Sequence, residues 1–165
     1  MQDHALKALL RELDADPFSG DVWRVTDAER DPLEASDVPG RWDTGLPSVY
    51  ASLTPEGAIA EFRHANAAAA QPVLHHLQVR ARATLRLDYE LLALLGIVRE
   101  DYAEAARPLC QHIGELAASL GFDSIVSPSA RWSSESLALF VPNADDDVIR
   151  LVRSDPLAAS ELEVR

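Results

Sequence analysis

The chain has 165 residues, of which 47% are hydrophobic and 25% charged, and its formal net charge at pH 7 is −12. This size and composition are typical of one globular domain with a hydrophobic core, and they exclude a disordered or low-complexity protein. The excess of 27 acidic over 15 basic residues argues against direct nucleic-acid binding, which needs clustered Lys and Arg to offset the phosphate charge.

The first part of the chain predicts a helix followed by two strands. Leucines at helical spacing predict a helix over residues 3–14, with Asp3 as its N-cap. Residues 22–26 and 48–52 are short apolar segments typical of strands. The stretch between them, 27–40, is polar and contains two prolines, so it predicts a loop.

A second helix is predicted to begin at Thr54. A Thr N-cap, Pro55 at the first helical position and Glu56 in the first turn follow one another in the order that helix starts favour. Its packing side would be formed by apolar residues at helical spacing, which are Ala58, Ile59, Phe62 and Ala65.

The second half of the chain mixes strands and helices. In order, it predicts strands at 72–80 and 83–88, a helix at 89–96, a helix ending at 120, strands at 124–126 and 136–141, and a helix at 145–154. Gly96 and Gly121 would end the two middle helices, and Pro108 would restart the longer one. Because these elements lack the βαβ rhythm and no Gly-x-Gly-x-x-Gly occurs, we expect an α+β fold, a compact mixed sheet with surrounding helices.

Three observations bear on the cellular environment. No apolar run approaches the length of a membrane span, and the first residues lack the layout of a signal peptide. The single cysteine, Cys110, cannot form an internal disulfide. We therefore expect a cytoplasmic protein with no membrane contact.

Metal binding and nucleophilic hydrolysis are both poorly supported. His75 and His76 are adjacent on a predicted strand, so they point to opposite faces. The Glu61 and His64 spacing resembles half of a di-metal site, but the chain has no second copy. Ser129 follows a proline and lacks the Gly-x-Ser-x-Gly elbow, so it is either a turn serine or a hydrogen-bond donor to a ligand.

The richest stretch for chemistry contains Arg41, Tyr50 and Glu61 around a predicted strand and the following helix. Arg supplies a planar fork for phosphate, an aromatic face stacks on a flat ring, and a carboxylate stabilises a developing sugar cation. Together they suit cleavage at the glycosidic carbon of a dinucleotide such as NAD. Spacing alone leaves a surface Arg, a core Tyr and an exposed Glu as the alternative, and Arg24 could equally reach solvent from its strand.

The same residues resemble the RES domain, named for an Arg, a Glu and a Ser and found in toxins of RES–Xre toxin–antitoxin pairs. Arg41, Glu61 and Ser129 match the three naming residues, Tyr50 fits the family's Tyr between the Arg and the Glu, and Arg24 fits an earlier Arg. The resemblance runs from about residue 20 to about residue 142.

Two positions depart from the family pattern. Ser127 stands where an aromatic residue is common before the Pro-Ser pair, and Asp43 stands where Asn is common after the Trp. Neither is one of the matched residues, so these departures concern substrate detail.

The resemblance implies roles for the matched residues. Glu61 would stabilise the ribose cation or hold a ribose hydroxyl, and Arg41 would hold the pyrophosphate. Tyr50 would stack on or orient the nicotinamide ring, and Ser129 would hydrogen-bond a ribose or amide group. Arg24 is a further candidate for NAD binding, and no metal is expected.

The resemblance also implies the fold and the partners. Residues 1–165 would form one RES-like domain similar to ADP-ribosyltransferases, with NAD as substrate in a cleft and no tightly bound cofactor. Water, inorganic phosphate or a protein side chain would accept the ADP-ribosyl group, giving a hydrolase, a phosphorylase or a transferase. An Xre-type helix-turn-helix antitoxin would neutralise the enzyme in a hetero-oligomer. A protein ADP-ribosyltransferase and a non-catalytic binding module remain the alternatives.

Overall fold

The fold is built from six strands and four α-helices in a computed structural model, which describes residues 2–36, 38–65 and 71–162. The strands are β1 (Asp16–Asp27), β2 (Ser48–Ser52), β3 (Pro72–Arg86), β4 (Ser124–Pro128), β5 (Glu135–Phe140) and β6 (Ile149–Pro156). The α-helices are α1 (Asp3–Glu12), α2 (Pro55–Ala65), α3 (Tyr89–Leu94) and α4 (Arg107–Ser119). Short 3₁₀ turns cover Val141–Asn143 and Ala159–Leu162.

The strands pair in the order β1-β2-β5-β4-β3-β6, and β1 also pairs with β3. The first five strands therefore form a closed ring of pairings, and β6 is added to β3 outside it. β3 and β4 run parallel, whereas the other pairs are antiparallel. Closing the ring protects most of the strand edges from solvent. The closed arrangement also places β1, β2, β4 and β5 around one shared space.

The core is divided between the inside of the ring and the helices that cover it. One buried cluster joins α1 and α4 to the sheet and includes Leu10, Ile113 and Phe140. A second cluster lies among the strands and includes Leu77 and Leu139. A third, smaller cluster holds α2 against β1 through the apolar side chains of Val25, Ala58 and Phe62.

Helix α4 passes very close to the main chain at Trp42. A Cβ atom added at Gly114 would lie 1.8 Å from the carbonyl oxygen of Trp42 and 2.6 Å from its carbonyl carbon. Real Cβ atoms do not approach backbone atoms so closely, so only glycine fits at this position. The contact fixes the residues around Trp42 directly on the helix.

Several predicted elements are confirmed. The strand at 48–52 has the bounds of β2, and the hydroxyl of Thr54 accepts the N–H of Gly57 at 3.1 Å, as an N-cap residue should. Gly96 and Gly121 follow α3 and α4 with φ of +93° and +95°, the left-handed conformation that glycine favours. The α+β class and the mixed sheet with surrounding helices are confirmed as well.

Other predicted elements are wrong. The helix predicted at 145–154 is replaced by β6, because the open edge of β3 supplies backbone partners from Val73 to Val79. The strands predicted at 72–80 and 83–88 are one continuous strand, β3, whose length is supported by pairing with β1. The strand predicted at 22–26 is likewise longer and begins at Asp16.

The start of α1 also differs from the prediction. Gln2 occupies the N-cap, and Asp3 lies in the first helical turn, where its carboxylate accepts a hydrogen bond of 2.8 Å from His112 Nε2. Asp3 therefore contacts His112 on α4 and does not cap α1.

None of the described helices is both long enough and apolar enough to cross a membrane.

Candidate active site

A cavity of about 320 Å³ opens between α2, the strand ring and the loops before β2 and α4. Four of the five predicted site residues line it, namely Arg24, Arg41, Tyr50 and Glu61. The fifth, Ser129, contacts Glu61 at the cavity wall. The volume is within the range of small-molecule and cofactor sites. Residues far apart in the sequence are therefore brought to one place.

Glu61 and Ser129 form a hydrogen-bonded pair. Glu61 lies in the second half of α2, and its Oε1 accepts a hydrogen bond of 3.0 Å from the Ser129 hydroxyl. The same hydroxyl oxygen accepts the backbone N–H groups of Arg131 and Trp132, both at 3.2 Å. Ser129 is only 6% exposed. Ser129 thus both organises its turn and orients the Glu61 carboxylate toward the cavity.

Tyr50 is held in place through its hydroxyl group. The hydroxyl donates to Asp43 Oδ2 at 2.5 Å and accepts the backbone N–H of Trp42 at 3.1 Å. Burial, and then the hydrogen bond to Asp43, raise the pKa of Tyr50 well above its usual range. A Cβ at Gly40 would lie 2.2 Å from the tyrosine ring, so the loop and the ring are in direct contact. Tyr50 therefore stays neutral and has a fixed ring orientation.

Asp43 organises the loop that carries Arg41, which we call the 40–45 loop. Its side chain is 2% exposed and accepts the backbone N–H groups of Gly40 at 3.1 Å and Gly45 at 2.9 Å, besides the Tyr50 hydroxyl. In the sequence, Asp43 stood out only as a departure from the family pattern. An aspartate two positions before a glycine is a typical signal of a side-chain-capped turn, and this signal is present in the sequence.

Arg41 attaches the 40–45 loop to the segment between α3 and α4, residues 95–106. Its guanidinium donates to the carbonyl oxygen of Tyr102 and, at 3.0 Å, to that of Ala103. It also lies over the Tyr102 ring, 4.7 Å from the centroid. The Tyr102 hydroxyl in turn donates to the carbonyl of Pro128 at 2.7 Å. A guanidinium has five N–H donors, so these contacts leave capacity for a ligand.

Arg24 holds the loop after β1. Its Nη1 donates to the carbonyl oxygens of Pro32 and Glu34, both at 2.7 Å, and the side chain is half-buried. Burial and the charge of Arg30 lower the pKa of Arg24 to about 10, so it remains protonated at neutral pH. Arg24 does not extend freely into solvent, and it carries a positive charge to the cavity wall.

Two further arginines, which are not among the predicted site residues, also line the cavity. Arg107, at the start of α4, donates to the carbonyl of Pro39 at 2.9 Å. Arg131 donates to the carboxylate of Glu104 at 2.5 Å. Arg107 has no local sequence signal, whereas Arg131 follows Ser129 by two positions. With Arg24 and Arg41, four arginines surround a cavity in which Glu61 is the one acidic residue among the described lining residues.

The structure also locates the residues considered for metal binding. His75 is buried and bonds Thr26 and Ser154, each at 2.8 Å, whereas His76 bonds Asp21 on the opposite face. The prediction that the two rings point apart is confirmed. Within residues 2–36, 38–65 and 71–162, no group of three or more His, Cys, Asp or Glu side chains is arranged to hold a metal ion.

The chain matches a known fold and a known protein family. A chain in the crystal structure of the M. tuberculosis MbcT–MbcA toxin–antitoxin complex shares the fold with a TM-score of 0.86 and 22% sequence identity, over 98% of this chain and 96% of that one. No curated protein sequence matches the chain. The family model described as RES domain matches residues 21–160. The resemblance noted in the sequence is thus confirmed, and the chain belongs to the RES domain family.

Proposed function

We propose that this protein is the toxin of a toxin–antitoxin pair and that it degrades NAD by cleaving the bond between nicotinamide and ribose. The observation that carries the proposal is the contrast between the cavity and the whole chain. The protein has a net charge of −12, yet four arginines and a single described acidic residue line the cavity. The arginines of such a cleft attract an anionic substrate. The one carboxylate can stabilise positive charge that develops on the substrate during the reaction.

The arginines suit the phosphates of a dinucleotide. Arg24 and Arg41 are anchored on backbone carbonyls, which leaves their charges uncompensated by those bonds. Positive groups held in a cleft with low-dielectric walls raise the local concentration of an anionic ligand. We assign the pyrophosphate of NAD to these two arginines, and the neutral ring of Tyr50 to the nicotinamide end.

Glu61 suits the reacting carbon. Breaking a glycosidic bond builds positive charge on the sugar ring in the transition state. A carboxylate that is already oriented stabilises that charge without having to reorganise during the reaction. The hydrogen bond from Ser129 supplies the orientation. The ADP-ribosyl group would then pass to water or to inorganic phosphate, making the enzyme an NAD glycohydrolase or an NAD phosphorylase.

The proposed partner is an Xre-type antitoxin. The fold is shared with a chain of a toxin–antitoxin complex, and an enzyme that consumes NAD needs an inhibitor in its own cell. DNA binding would belong to the antitoxin's helix-turn-helix domain, because the acidic chain is poorly suited to it. A carboxylate on an antitoxin segment would complement the arginines around the cavity.

The test of the proposed function is the NAD level of cells that express the chain without an antitoxin. We expect cellular NAD to fall before growth stops. Cells expressing Glu61→Gln to the same level are the control and should keep their NAD. Growth arrest with unchanged NAD would contradict the proposal.

Arg41→Lys is expected to weaken NAD binding about tenfold or more, because an ammonium group cannot reproduce the bidentate fork. Stability should also fall by about 1–2 kcal/mol, since the bonds to the Tyr102 and Ala103 carbonyls are lost. Calorimetric titration and thermal unfolding measure the two effects.

The matched control for this variant is Arg11→Lys on α1, an exposed position away from the cavity. It should change neither quantity appreciably. Normal NAD affinity in Arg41→Lys would show that Arg41 holds the loop in place and does not bind NAD.

A further inference from the structure

Helix α2 and the turn after β4, residues 129–134, are connected by two neighbouring sets of side chains, which we call the inner level and the outer level. The inner level is the hydrogen bond between Glu61 and Ser129. The outer level lies one helical turn further along α2, at His64, and two residues further along the turn, at Arg131. Both outer side chains line the cavity. The inner pair is therefore followed by His64 on α2 and Arg131 on the turn.

A carboxylate from a third segment lies between these outer side chains. Glu104 Oε1 is 2.5 Å from Arg131 Nη2 and 3.9 Å from His64 Nε2. The hydrogen bond from Arg131 is the main reason that the pKa of Glu104 is lowered, so its carboxylate is ionised at neutral pH. Arg131 thus already binds an anion that the protein itself supplies, and His64 lies beside this anion.

This contact differs from those of the other cavity arginines. Arg24, Arg41 and Arg107 donate to main-chain carbonyls, which are fixed parts of the fold. Glu104 is 69% exposed, and its side chain can turn into solvent without disturbing the core. Since one of its two side chains is mostly exposed, this ion pair contributes little to stability. A ligand with more negative charge than one carboxylate can therefore take its place.

We propose that His64 and Arg131 form a phosphoryl-binding subsite of the cavity, and that Glu104 occupies this subsite until an anionic ligand displaces it. The ligand class is a phosphoryl oxyanion, whose three oxygens match a guanidinium better than one carboxylate oxygen does. The subsite adjoins Glu61, so a phosphoryl group bound there lies next to the proposed reacting carbon. The identity of the physiological ligand rests on the proposed function, whereas the subsite itself does not.

The test is calorimetric titration of the purified protein with pyrophosphate. Glu104→Gln should bind pyrophosphate about fivefold more tightly than the unchanged protein, since an exposed ion pair rarely competes more strongly than this. The matched control is Glu100→Gln, which removes one exposed negative charge from the same segment and should give a smaller gain. In an Arg131→Gln background, Glu104→Gln should give no gain.

Two further titrations distinguish the sources of the phosphoryl group. A gain that extends to inorganic phosphate identifies a site for the free anion. A gain with pyrophosphate and ADP-ribose, but not with inorganic phosphate, identifies a site for a phosphate of the dinucleotide. Either result supports the subsite. Equal effects of Glu104→Gln and Glu100→Gln, or a gain that persists without Arg131, would overturn it.

These titrations need no turnover, so they separate the two proposals. If NAD is not cleaved but pyrophosphate binding follows the predicted pattern, the proposed function fails and the subsite stands. If NAD is cleaved but binding does not depend on Glu104, the reverse holds. Thermal unfolding of each variant verifies that it is folded, and Glu104→Gln should be as stable as the unchanged protein because Glu104 is exposed.

Discussion

Replacing Glu61 by glutamine is expected to lower the turnover of NAD by about 10²–10³ and to leave NAD binding nearly unchanged. Glutamine keeps the oxygen that accepts the Ser129 hydroxyl, so the side chain should stay in place. It loses the negative charge, whose interaction with the sugar strengthens only as positive charge develops. The effect should therefore be on kcat and not on affinity.

The measurement compares kcat from steady-state kinetics with affinity from calorimetric titration of a non-reactive NAD analogue. Glu56→Gln is the matched control, because Glu56 is an exposed acid on the same helix, outside the cavity lining. Near-normal turnover in the Glu61 variant would assign Glu61 a structural role. An equal loss of binding and turnover would instead show that Glu61 contributes to substrate binding and not specifically to the transition state.

Replacing Gly114 by alanine is expected to destabilise the protein by about 3 kcal/mol, the upper end of the usual range for overpacked positions. The added methyl group would meet the carbonyl group of Trp42 at 1.8 Å, and a backbone atom cannot move aside as a flexible side chain can. This cost exceeds the gain of about 1 kcal/mol that alanine brings to a helix interior. The displaced residue is next to Arg41, so NAD affinity should fall as well.

Chemical denaturation of Gly114→Ala measures the free energy of unfolding. Ser119→Ala serves as the control, because it introduces the same residue at an exposed position of the same helix. Its stability should differ little from that of the unchanged protein. A Gly114→Ala variant of unchanged or increased stability would show that the close approach of α4 to Trp42 is not maintained in solution.

Local signals predicted much of the structure around the cavity. The start of α2 is predictable from adjacent residues, because Thr54 caps the helix and Pro55 is its first residue, and neither needs a distant partner. Arg24, Arg41, Tyr50 and Glu61 line one cavity, and Ser129 touches Glu61. Their roles in binding and catalysis stay predictions.

The missed features depend on partners distant in the sequence. Residues 149–156 become a strand because β3 offers an edge, and no local pattern records that edge. Arg107 reaches the cavity because α4 is placed by its packing on Trp42. Asp43 gave a local turn signal, but its bond to Tyr50 depends on how β2 meets the loop.

The closed ring of strands has a consequence for the order in which the protein folds. Ser48 pairs with Phe140, and Asp16 pairs with Thr84, so most of the ring joins segments that are synthesised far apart in time. Such non-local pairing folds slowly, because each loop must close before its contacts form. One wall of the cavity consists of Ser136, Leu137 and Ala138 on β5. A nascent chain therefore has no complete cavity until β5 has emerged from the ribosome. An inhibitor that binds the complete cavity can be synthesised during the time that translation takes to reach β5.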